Sequence, residues 1–347
     1  MRLLSLITIC LLLTCCTKPE PIHNTQSYVF GTLVDITIYN EPEAEAQELA
    51  AEIVRDFQEL HNRLHAWRPS EIGALNHAFK RGHLPVKLKP DIAAIISDAT
   101  ALSIQSKGAF NPAIGALIRT WGFQNDEFKP VKIDDYQIKK LVKNNPQMVD
   151  IVIKKGKASS QNASVQLDLG GYAKGYALDV ALQTLRSHGV KNALINIGGN
   201  IIALGKQGDQ PWRVGIHHPR KPSAIATLDL DSGWAIGTSG DYQRYFEIKG
   251  KRYCHIINPD TGYPVSGVQA VTVLIPPQAN AGTLSDVASK PIFIANPNAR
   301  AQAAKDMGVE NYLIIESSDK ISISTAMAKR IKWLDAATAQ HVTQIQP

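Results

Sequence analysis

Hydrophobic residues recur at spacings of three and four in three segments of the chain, a period typical of amphipathic helices. The segments cover residues 46–64, 91–102 and 173–185. Gly108 and Gly189 follow the second and third segments, where glycine commonly ends a helix. The pattern therefore predicts three helices, the last of which follows a glycine-rich turn.

Shorter apolar or alternating stretches predict strands, separated by glycine, proline and asparagine. The predicted strands cover residues 29–39, 193–197, 201–204, 212–216, 225–230, 245–248, 270–275 and 312–315, with another near Ile292. A short helix is expected near Asp286. Because helices and strands mix without regular alternation, we predict an α+β fold. Residues 27–335 should form one domain, preceded by a polar tether (17–26) and followed by a C-terminal tail (336–347).

The N-terminus resembles an export signal. Arg2 precedes an apolar run over residues 3–13, which is too short to span a bilayer. A leucine stands three residues before each of Cys15 and Cys16, as at a bacterial lipoprotein cleavage site. We expect residues 1–16 to be a lipoprotein-type signal peptide, with lipidation at Cys16 or Cys15; an ordinary cleaved signal peptide is the alternative. Either alternative predicts export. A lipoprotein signal also predicts a lipid anchor in the bacterial cell envelope, with the protein facing the periplasm.

The composition of the chain limits the classes of protein to which it can belong. The 347 residues are 44% hydrophobic, which is typical of globular proteins. The net charge is +6, but the basic residues do not form runs with interleaved aromatics, so nucleic-acid binding is not expected. Cys254 is the one cysteine beyond the N-terminal segment, so the predicted domain holds no internal disulfide.

Residues 168–179 (DLGGYAKGYALD) are the most informative stretch. A glycine turn leads into a helix that carries Lys174 in its first turn. Helix N-termini present free N–H groups and a partial positive charge, and a lysine adds a full one. This combination is typical of a phosphate cradle, although such a turn can also serve packing alone.

Four later segments carry further candidate chemistry. Residues 196–200 (NIGGN) end a buried strand in a glycine pair, either as a tight hairpin or as a ligand contact. Residues 235–242 form a loop of small and hydroxyl residues that can donate hydrogen bonds. His255 precedes a loop punctuated by proline and glycine, and is either structural or catalytic. Asp286 lies among small residues, either as a helix N-cap or as a magnesium ligand.

Taken in order, these motifs and several near the front of the chain resemble one family. They are residues 30–32 (FGT), 67–71 (WRPSE) with Asn76, 108–112 (GAFNP) with 121–123 (WGF), and the five segments just described. The set resembles the FAD:protein FMN transferases, the ApbE-type flavin transferases, over residues 27–330.

The resemblance implies a duplicated T-fold-like arrangement of mainly antiparallel sheet with packed helices, and an FAD cleft between sheet and loops. It implies a magnesium-dependent enzyme that splits its substrate FAD at the pyrophosphate. FMN would be joined to a serine or threonine hydroxyl of an acceptor protein, and AMP released. Family members are typically exported lipoproteins that flavinylate membrane redox subunits, so acceptor redox subunits are the expected partners.

The resemblance also assigns roles to individual residues. The FAD contacts it implies are Phe30, Trp67, Ala109, Phe110, Asn111, Asp168, Lys174, Thr238, His255 and Asp260. The metal surroundings it implies are the Gly171 carbonyl, Asp286, Ser289 and Lys290. His255 is our first choice for the base that activates the acceptor hydroxyl, with Asp241 in reserve.

Four positions depart from the family pattern. Methionine is usual where Phe30 stands, and aspartate where Asn111 and Asn258 stand. The serious departure is Lys290, where a threonine metal ligand is common, because an ammonium has no lone pair and cannot ligate magnesium. A magnesium-dependent FAD pyrophosphatase and a non-catalytic FAD-binding lipoprotein are the alternative functions.

Overall fold

The computed structural model describes residues 20–82, 85–125 and 127–345. The predicted signal peptide, with Cys15 and Cys16, lies outside the described residues. Within the described part, no helix combines the length and the apolar character needed to cross a membrane.

Helices and strands alternate irregularly along the chain, as predicted. The helices are α1 (Glu43–Leu64), α2 (Glu71–Arg81), α3 (Pro90–Gln105), α4 (Gly115–Thr120), α5 (Asp135–Lys143), α6 (Ala173–Ser187), α7 (Ala281–Ile294), α8 (Arg300–Asp306), α9 (Thr325–Ala328) and α10 (Ala336–Gln340). The strands before α6 are β1 (Ile22–Val29), β2 (Thr32–Tyr39), β3 (Val86–Lys87), β4 (Ile151–Lys154) and β5 (Lys157–Ser160). The strands after α6 are β6 (Asn192–Ile197), β7 (Asn200–Leu204), β8 (Trp212–His217), β9 (Ala224–Leu230), β10 (Ala235–Gly240), β11 (Tyr245–Ile248), β12 (Lys251–Cys254), β13 (Val268–Ile275), β14 (Asn311–Glu316), β15 (Ile321–Ser324), β16 (Ile331–Trp333) and β17 (Val342–Ile345).

A nine-stranded sheet organises the described chain, in the order β1-β2-β6-β7-β10-β13-β14-β15-β17. All neighbours in it run antiparallel except β15 and β17, which are parallel. Smaller sheets combine β16, β9 and β8, then β3, β5 and β4, and finally β11 with β12. The prediction of an α+β fold with a mainly antiparallel sheet is confirmed.

The sheet is covered on both faces, and strand β13 shows how. All eight of its residues are buried. Val271, Val273 and Ile275 join the larger core, which α1, α3, α6 and α7 also line, whereas Ala270 and Leu274 join a second core against β8 and β9. A strand buried on both faces reads as a continuous apolar run rather than an alternating one.

Both ends of the predicted domain extend further than expected. Residues 22–26, assigned to the polar tether, belong to β1, which pairs with β2 from Ile22 opposite Tyr39 onward. This edge strand is held by backbone hydrogen bonds, so its mostly polar side chains concealed it. The same hairpin breaks the predicted strand 29–39 with a turn at Phe30 and Gly31. At the other end, β17 lies within the predicted C-terminal tail and completes the large sheet.

Two further predictions were wrong. Residues 235–240, interpreted as a loop, form the central strand β10. It is built from small residues because α7 passes directly over it: a Cβ at Gly237 would lie 2.3 Å from the Ser285 carbonyl oxygen. Ile292, assigned to a strand, lies in α7, which continues past Pro291.

Helices α6 and α7 cross at an unusually short distance, and each supplies a carboxylate to the N-terminus of the other. A Cβ at Gly175 would lie 2.4 Å from the Gly282 carbonyl oxygen, so only glycine fits there. Asp179 of α6 accepts hydrogen bonds from the Gly282 and Thr283 N–H groups at 2.7 and 2.8 Å. Asp286 of α7 accepts one from the Gly175 N–H at 3.1 Å. This exchange fixes the register of the two helices and the position of Asp286.

Candidate active site

One cleft of about 630 Å³ gathers most of the residues that the sequence singled out. The predicted site residues that line it are Phe30, Trp67, Ala109, Phe110, Asn111, Asp168, Gly171, Lys174, Thr238, His255, Asp286 and Lys290. They come from the β1–β2 turn, the segments after α1 and α3, the start of α6, β10, the segment after β12, and α7. Its volume suits a cofactor-sized ligand.

Three predicted residues do not line this cleft. Asp241, the reserve base, accepts two 2.7 Å hydrogen bonds from the Arg220 guanidinium and is therefore occupied. Asp260 is exposed on a turn that its own N–H helps to close by donating to Asn258 Oδ1. Ser289 is fully buried, and its hydroxyl pairs with Ser239 at 2.7 Å. The sequence could not reveal these contacts, because each depends on how the segments fold together.

Asp286 is a buried carboxylate held in its ionised form. Burial alone would raise its pKa, but Lys174, at 3.8 Å, and Lys290, at 2.7 Å, lower that pKa to about 2. Burial in turn lowers the pKa of Lys174; the Asp286 charge opposes this shift, and Lys290 and Arg244 add to it. Two lysines therefore share one carboxylate, leaving surplus positive charge at the cleft wall.

The predicted magnesium site does not fit this arrangement. Lys290 Nζ donates to Asp286 Oδ1 at 2.7 Å and to the Asp286 carbonyl at 2.6 Å, where a metal ion would need free oxygen lone pairs. Gly171 faces Lys290: a Cβ there would lie 2.7 Å from Lys290 Cε. Across the described residues, no three or more His, Cys, Asp or Glu side chains are grouped so that they could hold a metal ion.

His255 lies in the cleft wall as a neutral imidazole. Its Nδ1 is 3.2 Å from the Arg244 carbonyl oxygen, which only accepts, so Nδ1 carries the proton and Nε2 keeps a lone pair. Burial, together with the charges of Arg244, Lys174 and Lys290, lowers the pKa of His255 to about 3. The residue is therefore ready to accept a proton across the neutral pH range, although it is a weak base until negative charge enters the cleft.

The β1–β2 turn presents Phe30 in a rare backbone conformation. Its φ is 56°, in the left-handed region that a phenylalanine seldom adopts, and Gly31 follows at 69°. The Phe30 ring packs against Phe57 and His61, with ring centroids 6.0 and 5.6 Å away. Its carbonyl accepts a hydrogen bond from Arg244 at 3.1 Å. Such local strain is common at functional sites, and here these contacts hold an aromatic ring at the edge of the cleft.

The glycine turn before α6 is anchored from both sides. Asn76 donates to the Leu167 carbonyl at 2.9 Å and accepts from the Leu167 N–H at 2.6 Å. One residue further on, Asp168 accepts from the Gly170 N–H at 2.8 Å. Burial raises the pKa of Asp168, while that N–H, Arg244 and Trp67 oppose the shift. Asn76 therefore acts by positioning the turn rather than by reaching the cleft.

Asn111 also has a structural task. Its amide donates to the Pro146 carbonyl at 2.9 Å and accepts from the Ala113 N–H at 3.0 Å. Both ends of the side chain are thus committed to backbone groups. Its contribution to the cleft is the shape of the wall it stabilises.

Sequence reasoning missed two functional residues. Arg244 lines the cleft, supports Phe30 and carries the carbonyl that sets the His255 tautomer. Its place two residues after the motif of residues 235–242 was the available signal. Asp179 was noted only as the last residue of the glycine motif, and its cap on α7 joins residues more than 100 positions apart.

Comparison with known proteins gives a consistent result. The family model described as the ApbE family matches residues 30–313. A FAD:protein FMN transferase of Rhodobacter capsulatus is 35% identical over 95% of this chain, which spans 62% of that protein's length. A FAD:protein FMN transferase of Treponema pallidum is 30% identical, with 90% of each chain covered.

Solved structures show the same architecture. The ApbE protein of Thermotoga maritima superposes with a TM-score of 0.81 at 28% identity, covering 89% of this chain and 99% of that one. The cleft holds most of the site residues that the sequence resemblance implied. Sequence, fold and cleft agree, and the chain belongs to the ApbE family.

Proposed function

We propose that this protein transfers FMN from FAD to a serine or threonine hydroxyl of an acceptor protein and releases AMP. Its membership of a family whose relatives carry this activity in their names supports the proposal. The observation that carries it is the cleft in which aromatic side chains and a cluster of basic side chains lie together. A flavin ring can stack on the aromatics, and a pyrophosphate can bind the cations.

Charge neutralisation is the main demand of phosphoryl transfer. Among the described cleft residues, Lys174, Arg244 and Lys290 carry basic groups, and Asp168 and Asp286 carry carboxyl groups. With His255 neutral, basic groups therefore outnumber carboxyl groups in this set before substrate binds. The pyrophosphate of FAD would complement this excess of basic groups.

The reaction we propose is a displacement at the phosphorus on the FMN side. The acceptor hydroxyl oxygen forms the new P–O bond, and the P–O bond to AMP breaks with its electron pair going to AMP. Nε2 of His255 takes the hydroxyl proton. Burial is the largest cause of the low pKa of His255, and the charges of Arg244, Lys174 and Lys290 add to it. The negative charge of bound FAD would oppose the contribution of these cations, so substrate binding strengthens the base.

A second cavity offers a route for the acceptor. It measures about 470 Å³ and shares Gly198, Thr238 and Gln243 with the FAD cleft. Its wall includes Gly215 on the edge strand β8, and the stacked rings of His217 and Tyr242. We propose that the hydroxyl-bearing segment of the acceptor enters here, where glycine leaves room for a backbone.

We also propose that the protein is exported and held at the cell envelope through a lipid on Cys15 or Cys16. The apolar run over residues 3–13 and the cysteines after it support this placement. Membrane redox subunits would then be accessible acceptors.

The test is co-expression of this protein with a redox subunit that carries a Ser/Thr-Gly-Ala-Ser/Thr-like site. Intact mass of the subunit should increase by one FMN less one water, and AMP should be released in equal amount. Free FMN with an unmodified subunit would indicate an FAD pyrophosphatase. Bound FAD without AMP release would indicate a flavin-binding protein.

A further inference from the structure

We propose that the Lys290 ammonium is the resident cation of this site and takes the place of a divalent metal ion at Asp286. The inference rests on the proposed function and concerns how the same cleft neutralises the FAD pyrophosphate. It predicts that FAD binding and FMN transfer do not require magnesium in this protein.

The first observation is the contact between Lys290 and Asp286. Nζ lies 2.7 Å from Oδ1 and 2.6 Å from the carbonyl oxygen of the same residue. The Lys290 and Asp286 side chains are only 16% and 3% exposed, so this is an interior ion pair and not a surface one. An ammonium supplies positive charge and three donors but no lone pair, so it can replace a cation and cannot ligate one.

The second observation is that the neighbouring oxygen donors are already in use. Asp286 Oδ2 accepts from the Gly175 N–H at 3.1 Å, and Ser289 donates to the Asp286 carbonyl at 3.0 Å. Lys174 lies 3.8 Å from Oδ1 as well. A divalent ion on this carboxylate would meet two ammoniums at short range and would have to displace one of them.

The third observation is the space that Gly171 provides. A Cβ at this position would lie 2.7 Å from Cε and 3.1 Å from Cδ of Lys290. The missing side chain therefore lets the lysine stem cross the glycine turn and bring its ammonium to the cleft. The sequence suggested that the Gly171 carbonyl faces a metal, whereas the structure explains this glycine by the passage of Lys290.

Together these observations give the site its own positive charge. Lys290 lines the cleft beside Lys174 and can donate to phosphate oxygens while Asp286 holds it in place. Transfer then needs no charge from a metal ion, since the lysines and Arg244 stabilise the phosphoryl group.

The experiment measures FAD affinity of the purified protein by flavin fluorescence, with EDTA and with added magnesium. We expect the two dissociation constants to agree within about twofold. Electron paramagnetic resonance with Mn²⁺ tests for a metal site at Asp286. We expect the Mn²⁺ signal of the wild type and of Asp286→Asn to be the same. An increase in FAD affinity of about tenfold or more on adding magnesium, or a Mn²⁺ site that depends on Asp286, would overturn the proposal.

Two variants sharpen the test. Lys290→Thr removes the charge and adds a hydroxyl lone pair; it should bind FAD weakly in EDTA and recover with magnesium. Lys290→Met removes the charge without adding a ligand, so magnesium should restore much less. Lys332→Thr is the matched control, because the exposed side chain of Lys332 pairs with Asp229 at 2.7 Å outside the cleft. Equal responses of Lys290→Thr and the wild type to magnesium would contradict the proposal.

Transfer assays in the same buffers separate this inference from the proposed function. Wild-type transfer should persist in EDTA. If no acceptor is flavinylated in any buffer while FAD binding stays independent of metal, the proposed function fails and the role of Lys290 stands. If transfer occurs only with magnesium, the role of Lys290 fails and the function stands.

Discussion

Replacing Gly175 with alanine tests the close crossing of α6 and α7 that positions the cationic cluster. The added Cβ would lie 2.4 Å from the Gly282 carbonyl oxygen, 2.7 Å from Thr283 Cα and 2.8 Å from Asp286 Cβ. Two of these contacts are with backbone atoms, which a rotamer change cannot relieve. The helices must therefore separate, and Asp286 must move with α7.

The size of the effect follows from two opposing contributions. Overpacking of a well-packed interior costs about 1–3 kcal/mol. Alanine recovers about 0.5–1 kcal/mol relative to glycine within a helix. Because two of the close contacts are with backbone atoms, the overpacking cost should lie in the upper half of its range, and the net expectation is a loss of about 1–2.5 kcal/mol of unfolding free energy. FAD affinity should also decrease, because Asp286 and its two lysines line the cleft.

Urea unfolding followed by circular dichroism measures the first quantity, and flavin fluorescence measures the second. Gln183→Ala is the control, since Gln183 is exposed on the same helix; it should change stability by less than about 0.5 kcal/mol. If Gly175→Ala were as stable as the wild type, with unchanged FAD affinity, the close crossing of α6 and α7 would not require glycine at position 175.

Three further substitutions test the cap that Asp179 provides, the protonation of His255 and the second cavity. Asp179→Ala leaves the buried N–H groups of Gly282 and Thr283 without their acceptor, so it should lower the free energy of unfolding, measured in urea, by about 2–4 kcal/mol. An unchanged unfolding midpoint would show that Asp179 does not cap α7. The pKa of His255 is about 3 in the folded protein and near 6.5 in the unfolded chain, so the free energy of unfolding should decrease as pH falls below 6.5. Between pH 7 and pH 5, His255→Asn should therefore lose about 1–2 kcal/mol less unfolding free energy than the wild type. Equal losses in the two proteins would contradict that pKa. Gly215→Val should raise the KM for the acceptor about tenfold and leave FAD affinity unchanged. Arg213→Val is the control, since Arg213 lies two residues away on the same face of β8, and it should not raise this KM. Equal effects of the two substitutions would exclude the proposed acceptor route.

The sequence predicted the elements whose burial follows a regular period. Helices α1, α3 and α6 each have one apolar face, and their positions matched the i, i+3 and i+4 spacing. Strand β10 was missed because the close passage of α7 requires small residues in it, and these residues do not alternate between apolar and polar as strand residues often do. Helix α2, which Ser70 caps through the Gly73 N–H at 2.7 Å, was missed despite the serine at its start. The local pattern of apolar and polar residues cannot show a packing requirement that a distant helix or strand imposes.

The same distinction applies to the cleft. The family motifs identified most of its lining residues because those residues stand in recognisable order. The motifs do not show which residue each side chain contacts. Asp241 was a candidate base, but it accepts hydrogen bonds from Arg220, 21 positions earlier in the chain. The pairing of Lys290 with Asp286 spans a single helical turn, and the sequence raised Lys290 as an anomaly without showing what it contacts.

Intact mass spectrometry of an acceptor decides whether this protein joins FMN to an acceptor hydroxyl. A co-expressed redox subunit with a Ser/Thr-Gly-Ala-Ser/Thr-like site should gain the mass of one FMN less one water. The gain should disappear when the acceptor hydroxyl residue is changed to alanine. An unmodified subunit, in cells where this protein is present and binds FAD, would contradict the account.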